Sequence, residues 1–422
     1  MKHKRILALV LAVAACFSLA VTASAADRKA ADFKDFDRSA WYAEAVSAAV
    51  DNDLLYGKGN SIIDPNGNLT RAEMAAIINR AFGCYKVADI SQYKDVSKSK
   101  WYYKDVQLAV QMGTYNGRSS ASMAPDASIT RQEAMTVVAR ALQLDLERYS
   151  KADLSRFSDR VQISDWALPY VKAMVGADYI HGRTSGLSPQ DTITRAEFAQ
   201  IFYNIIGTYI TEKGAYDKDY KGNILIRTDD VVLKDLTVDG DLILGNGVAD
   251  GKITMDHVTV TGRLVVWGGG TKAVYCNNGT NMPEIVVCRV DDAVKVYYDR
   301  DSTLAVIDTI EVRITERAKQ HKETEVIFYD VSGLREVQKQ LNAIVDDNQI
   351  AFTAPAHLYA LVGETSSRQS SSTTVSRTAI PSRFEKTATM RCLLTCLNLP
   401  QARAFPLWSC WKRPRLAMQT AP

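Results

Sequence analysis

Histidine and cysteine are scarce in this chain, with five and seven residues among 422. No CxxC pair occurs and no cysteine has histidine ligands beside it. A structural zinc site, which needs four such ligands, is therefore not expected, nor is a disulfide framework. A charge excess of one sign is lacking too, since 51 Lys and Arg face 48 Asp and Glu. That balance conceals an acidic middle: residues 26–364 hold 39 cations against 47 anions. Such a surface argues against nucleic-acid binding of the usual basic kind. Beyond Ala26 no apolar run approaches the roughly 20 residues that span a bilayer. What is present is the composition of an ordinary globular protein, 46% hydrophobic and 23% charged, on a chain long enough for two to four domains.

The segment 1–25 has the order of a secretory signal: Lys2, Lys4 and Arg5, then an apolar run from Ile6, then Ala23-Ser24-Ala25. Export with cleavage is expected, leaving no membrane contact afterwards. An uncleaved anchor and a lipid-modified Cys16 after Val13-Ala-Ala are the alternatives.

Three repeats follow. Phe33-Lys-Asp35, Tyr93-Lys-Asp95 and Phe157-Ser-Asp159 precede Trp41, Trp101 and Trp166. Each tryptophan leads a helical pattern: Ala45, Val46, Ala49 and Val50, then Val106, Ala109 and Val110, then Val171, Met174 and Val175. Gly57, Gly117 and Gly182 follow, placed where a left-handed helix cap is expected. Next come Ile63-Asp-Pro65, Met123-Ala-Pro125 and Leu187-Ser-Pro189. Each proline lies five residues before the threonine of Thr70-Arg-Ala-Glu73, Thr130-Arg-Gln-Glu133 or Thr194-Arg-Ala-Glu197. Thr-x-x-Glu is a capping box, so a second helix starts at each.

Arg71, Arg131 and Arg195 therefore sit in the first turn of a helix, where the free amides already carry partial positive charge. One reading pairs each guanidinium with a nearby carboxylate, its own capping-box glutamate or an aspartate of the preceding loop. The other joins the arginine to unpaired helix amides as an anion site. Both can hold at once. The three tryptophans fit either a core role or a flat platform for a sugar ring.

The ordered motifs, repeated over about residues 33–210, resemble the S-layer homology (SLH) family. Gln132, Leu69 and Ala124 depart from its pattern, and Ala124 marks the second copy as the weaker site. The resemblance implies an all-α bundle of three modules, at 33–84, 93–145 and 157–211, with pseudo-threefold symmetry. It also implies that grooves between lobes hold an anionic, often pyruvylated, secondary cell-wall polysaccharide. On this sequence the implied binding residues are Trp41, Gly57, Arg71, Trp101, Gly117, Arg131, Trp166, Gly182 and Arg195. Binding would be non-covalent, without cofactor or metal, on a secreted protein of the wall or surface layer, with other surface-layer subunits as possible partners.

After Tyr209 the helical period ends, and Gly214, Lys218, Lys221 and Gly222 read as a polar linker. Residues 231–244 then align with 253–266 at an offset of 22, Gly240 falling on Gly262. Short strands with glycine corners at this period predict a right-handed parallel β-helix over 222–315, a stalk independent of the helices. The chain as a whole is thus an α+β multidomain protein. Leucine-rich repeats are the runner-up, but they need a helix or open arch where Asp241-Leu-Ile-Leu244 reads as a strand. The carboxylate pairs Asp229-Asp230, Asp239 with Asp241, and Asp291-Asp292 would suit a polysaccharide-cleaving site, yet their positions suit turns better. The chain is accordingly expected not to be an enzyme, with an SLH-anchored polysaccharide-degrading enzyme as the alternative. His257 replaces Asp235 of the other copy and reads as a solvent-facing strand position. Cys276 and Cys288 could pair across strands or lie buried as thiols. Residues 316–364 read as mixed, with a strand at 325–329 and a helix at 333–345. The tail 365–422, with nine cations and Glu385 alone as acid, reads as disordered or out of frame, and no function attaches to it.

Overall fold

The computed structural model describes residues 28–184, 186–269, 274–289, 294–299, 311–315, 317 and 326–330. The signal, the 333–345 helix and the tail lie outside them.

Six helices form the first half: α1 (Ala43–Asp51), α2 (Arg71–Phe82), α3 (Tyr103–Met112), α4 (Arg131–Ala141), α5 (Leu168–Gly176) and α6 (Arg195–Ile205). Thr70, Thr130 and Thr194 cap α2, α4 and α6 through complete capping boxes with Glu73, Glu133 and Glu197. Packing crosses the repeat boundaries: α2 lies on α3, α4 on α5, and α6 returns to α1. The repeats therefore close into a ring. Its axis is a triangle of backbone hydrogen bonds in which Leu69 N–H donates to Ile193, Ile193 to Ile129 and Ile129 to Leu69, at 2.9, 3.1 and 2.9 Å. All three side chains are fully buried.

The left-handed residues after the first helices are Asp53, Gly113 and Asp178, not the predicted glycines. Of those, Gly182 alone has positive φ, +85°. Gly57, Gly117 and Gly182 serve another purpose. A Cβ would stand 2.4 Å from the Phe33 ring at Gly57, 2.4 Å from Tyr93 at Gly117 and 2.7 Å from Phe157 at Gly182. Each glycine is the floor beneath the aromatic residue that opens its repeat.

No linker follows α6. Strand β1 (Ile206–Ile210) begins at the next residue and already pairs with β4 (Asn223–Ile226), so the solenoid starts at 206. One all-parallel sheet continues through β6 (Leu242–Leu244), β8 (Arg263–Val266), β10 (Glu284–Val287) and β12 (Glu311–Ile314). The other contains β2 (Gly214–Tyr216), β5 (Val231–Asp239), β7 (Ile253–Val260), β9 (Val274–Asn277), β11 (Val294–Tyr298) and β13 (Val326–Asp330), with β3 (Tyr220–Lys221) also on β5. The architecture is a parallel β-solenoid of about four turns. Two strands per coil exclude the leucine-rich alternative. The ladders stay in register past Val266, but the coil length is not constant: Leu242 stacks on Leu264, and Leu264 on Ile285 after a slightly shorter coil. Close stacking explains the aligned glycines: a Cβ on Gly262 would lie 2.7 Å from the Gly240 carbonyl.

Strands β4, β6, β8 and β10 of the first sheet are buried on both faces. Ile224, Leu242, Leu264 and Ile285 fill the solenoid, whereas Leu225, Ile243, Val265 and Val286 belong to the core of the helical ring. The independent stalk expected from sequence is therefore not what forms. Trp267 Nε1 donates to Ala141 O at 3.0 Å, and its ring meets Phe82 edge-on. Arg263 holds buried Asp241 and donates Nη1 to Gln143 O at 2.9 Å, and Arg227 reaches Arg80 O and Asn52 O. Cys276 and Cys288 are separate buried thiols, one inside the solenoid and one at this seam, and burial pushes both pKa values up. His257 is exposed within β7, as expected, at a left-handed residue with φ of 58° and with Nδ1 3.0 Å from Asp235.

Candidate functional site: three cationic seams

The first-turn arginines are only 5%, 5% and 3% exposed. Each crosses to the neighbouring repeat. Arg71 donates Nε to Met123 O at 2.9 Å, Nη1 to Glu133 at 3.0 Å and Nη2 to Asn116 O at 3.1 Å. Arg131 donates Nε to Leu187 O at 2.8 Å and lies 3.6 Å from Glu197. Arg195 closes the ring, donating Nε to Ile63 O at 2.9 Å and Nη2 to Tyr56 O at 2.5 Å, with Glu73 at 3.5 Å. The carboxylate partner is thus the capping-box glutamate of the next repeat, neither the arginine's own nor a loop aspartate. Burial pushes the pKa values of Arg131 and Arg195 down, opposed by Glu197 and Glu73 respectively.

The helix amides are not free. Arg71, Arg131 and Arg195 N–H donate to Ala127, Asp191 and Gly67 O, and the next amides to Pro125, Pro189 and Pro65 O. The third is taken by the capping threonine. The anion site expected at the helix start is therefore filled by the protein's own carbonyls.

Each glutamate also has a second cation. Lys58 lies 3.6 Å from Glu73 and 2.9 Å from Asp64, Arg118 lies 3.1 Å from Glu133, and Arg183 is bound to Glu197 and lies 3.0 Å from Asp191. These side chains are 36%, 43% and 31% exposed. Every seam thus has a buried arginine behind a glutamate and a half-exposed cation in front. The structure groups Arg71 with the Gly117 loop, Arg131 with Gly182 and Arg195 with Gly57. Trp41, Trp101 and Trp166 are 62%, 62% and 52% exposed, so they are not core residues. Among the described residues no hydrogen bond or ring contact ties them to these cations; Trp41 and Trp101 stand edge-on to Tyr42 and Tyr102.

The S-layer homology domain family matches residues 32–75, 92–135 and 156–199. The chain carries three SLH domains. A surface-layer 125 kDa protein of Lysinibacillus sphaericus is 32% identical over 200 residues, 46% of this chain and 17% of that protein. A cellulosome-anchoring protein of Acetivibrio thermocellus is 29% identical over 34% of this chain and 33% of its own length. An exoglucanase of the same organism is 28% identical over 42% of this chain and 16% of its own length. Each match thus spans a third or less of the relative. Three SLH domains together with surface-layer relatives mark a cell-surface protein. No helix among the described residues is long and apolar enough to cross a membrane.

Sequence reading missed two features of the SLH seams. Lys58, Arg118 and Arg183 were legible, since each directly follows the turn glycine of its repeat. The opening aspartates recur in the sequence, but only the structure gives them a role. Asp35, Asp95 and Asp159 each accept two backbone N–H bonds from the segment before the proline: Ile63 and Asp64, Met123 and Ala124, Leu187 and Ser188, at 2.6–2.9 Å. Asp64, Ala124 and Ser188 are left-handed there, with φ of 54°, 53° and 51°, so Ala124 holds the conformation despite its lack of a polar group. Gln132 instead binds the third repeat, its Nε2 donating to Ser164 Oγ and its Oε1 accepting from Ser164 N–H, both at 3.0 Å.

For Asp95 and Asp159 burial raises the pKa, but the amide donors outweigh it and the net shift is downward. A depressed carboxylate stabilises the fold above its unfolded value of about 3.9, and the contribution is lost as pH falls through the folded value. Stability measured by urea midpoint should therefore be flat near neutrality and drop below about pH 4. Asp159→Asn should be less stable at neutral pH and show a shallower acid limb. An unchanged acid limb would remove Asp159 from this role.

Proposed function

We propose that the three seams anchor the chain non-covalently to the cell wall by taking an anionic secondary polysaccharide, with pyruvylated sugars the class that suits them. The observation that carries this reading is the threefold repetition of a half-exposed cation, Lys58, Arg118 or Arg183, backed by a buried arginine. An acidic substituent would meet the outer cation, Arg71, Arg131 and Arg195 would hold the glutamate and loop in place behind it, and the glycine loops would allow close approach. Trp41, Trp101 and Trp166 would offer flat faces to sugar rings. The solenoid, fused to the ring, serves as a structural body. Wall anchoring agrees with relatives named surface-layer and cellulosome-anchoring proteins.

A pull-down with isolated walls tests it. Native walls should retain the protein, walls stripped of secondary polymer should not, and denaturant without detergent should release it. Hydrogen bonds to charged groups are worth about 1.5–3 kcal/mol, so Arg118→Ala should weaken binding roughly 10- to 100-fold with little change in melting temperature. Equal retention by stripped walls would end this reading.

Relatives named as glycan hydrolases support the rival, an anchored enzyme. Of the carboxylate pairs seen in the sequence, Asp241 binds Arg263, Asp239 accepts from Thr261 Oγ1 at 3.2 Å, and Asp229 and Asp230 bind Lys213. Asp291 and Asp292 lie outside the described residues. Cleavage of wall polymer by the full chain would favour the rival.

A further inference from the structure

A second cationic site lies away from the three seams, where the loop after α2 and the end of α3 meet the solenoid. A cleft of about 30 Å³ opens there, with Lys86, Arg289 and Arg317 among its walls and no acidic side chain among the described residues that line it. This volume accommodates a group a few water molecules in size, not a whole sugar ring. The amide side chains of Gln111 and Asn246 also line it, and Tyr85 stands at its edge, 45% exposed.

The cations are differently engaged. Arg289 is 4% exposed, its Nη1 donating to Ala249 O at 3.0 Å and its Nη2 bound to Asp250. Arg317 packs its guanidinium over Gly113 at the end of α3, where a Cβ would stand 2.2 Å from Nη1. No carboxylate among the described residues pairs with Arg317, and burial pushes its pKa down. A partly buried guanidinium without a counter-charge is costly, and an oxyanion in the cleft would relieve that cost with two-pronged hydrogen bonds.

We propose that this cleft binds a small oxyanion, a carboxylate or phosphate substituent of a glycan whose ring rests outside against Tyr85. The site is independent of the three seams. It would give the wall polymer a fourth point of attachment, made jointly by the SLH ring and the solenoid.

Titration of the purified full chain with inorganic phosphate and, separately, with pyruvate tests this by calorimetry. Saturable binding that includes a component separate from the three seams is expected for at least one anion, and the arm that shows it identifies the substituent. Arg317→Gln and Lys86→Gln should each weaken it about 10- to 100-fold. Arg118→Ala, in a seam, should leave the component that these two variants remove unchanged. Far-UV circular dichroism and the melting temperature without anion establish that each variant is folded. Absence of saturable binding of either anion, or equal binding by folded Arg317→Gln, would overturn the proposal. Loss of binding on Arg118→Ala with Arg317→Gln unaffected would assign the anion to the seams instead. Failure here leaves anchoring by the seams standing, since wall pull-down with Arg118→Ala reads them separately.

Discussion

Separating the helical ring from the solenoid, by producing residues 28–205 alone, is expected to give an aggregating protein rather than a folded bundle. In the intact chain Leu225, Ile243, Val265, Val286 and Trp267 complete the hydrophobic core of the ring. Removing them exposes a continuous apolar face, which a soluble monomer rarely carries. Single substitution should show the same coupling. Trp267→Ala deletes a large buried side chain, its edge-on contact with Phe82 and its hydrogen bond to Ala141 O. Losses for such changes are about 3–5 kcal/mol, a large part of the 5–15 kcal/mol by which domains are stable. Helix and strand signals of the full chain should unfold in one coincident transition. A monomeric 28–205 fragment with a cooperative urea transition would show that the ring is self-sufficient and that the seam is only a docking surface.

That coupling was the least legible part of the sequence. The short strands Arg263–Val266 and Glu284–Val287 do not run long enough for alternation to tell one buried face from two. Their apolar residues read equally well as a solenoid with a solvated outside. The helical repeats were legible because threonine caps, prolines and tryptophans mark each copy at fixed places. The coil period was legible only for one pair of coils. The step from Leu264 to Ile285 is shorter than that from Leu242 to Leu264, which breaks a strict alignment while leaving the ladders in register. At the site, the recurrence of Arg71, Arg131 and Arg195 marks a repeated role, but local spacing suggests each arginine's own glutamate or an aspartate of the preceding loop as partner. The actual partner of Arg71 is Glu133, in the second repeat, and that of Arg195 is Glu73, back in the first. Pairing across a closed ring follows from the threefold arrangement and cannot be read from one repeat.

Replacing Arg195 by alanine should destabilise the protein by about 3–5 kcal/mol, because it leaves a partly buried glutamate and two acceptors without their donor. Arg195 joins the last repeat to the first, bonding Ile63 O and Tyr56 O and facing Glu73 at 3.5 Å. Lys58 remains near Glu73 at 3.6 Å, but it is 36% exposed and cannot reproduce the buried fork. Arg195→Lys should recover only part of the loss, since lysine keeps the charge without the planar donor geometry. Arg71→Ala should cost a similar amount. Arg131→Ala should cost least, because its described partners are fewer: Leu187 O at 2.8 Å and Glu197 at 3.6 Å, with Arg183 already on that glutamate. Urea midpoints for the three variants give the ranking. Wall binding measured on folded Arg195→Lys then separates the two roles of the arginine. Unchanged stability in Arg195→Ala would mean that the backbone triangle of Leu69, Ile129 and Ile193 closes the ring unaided, and that the guanidinium is there for the ligand.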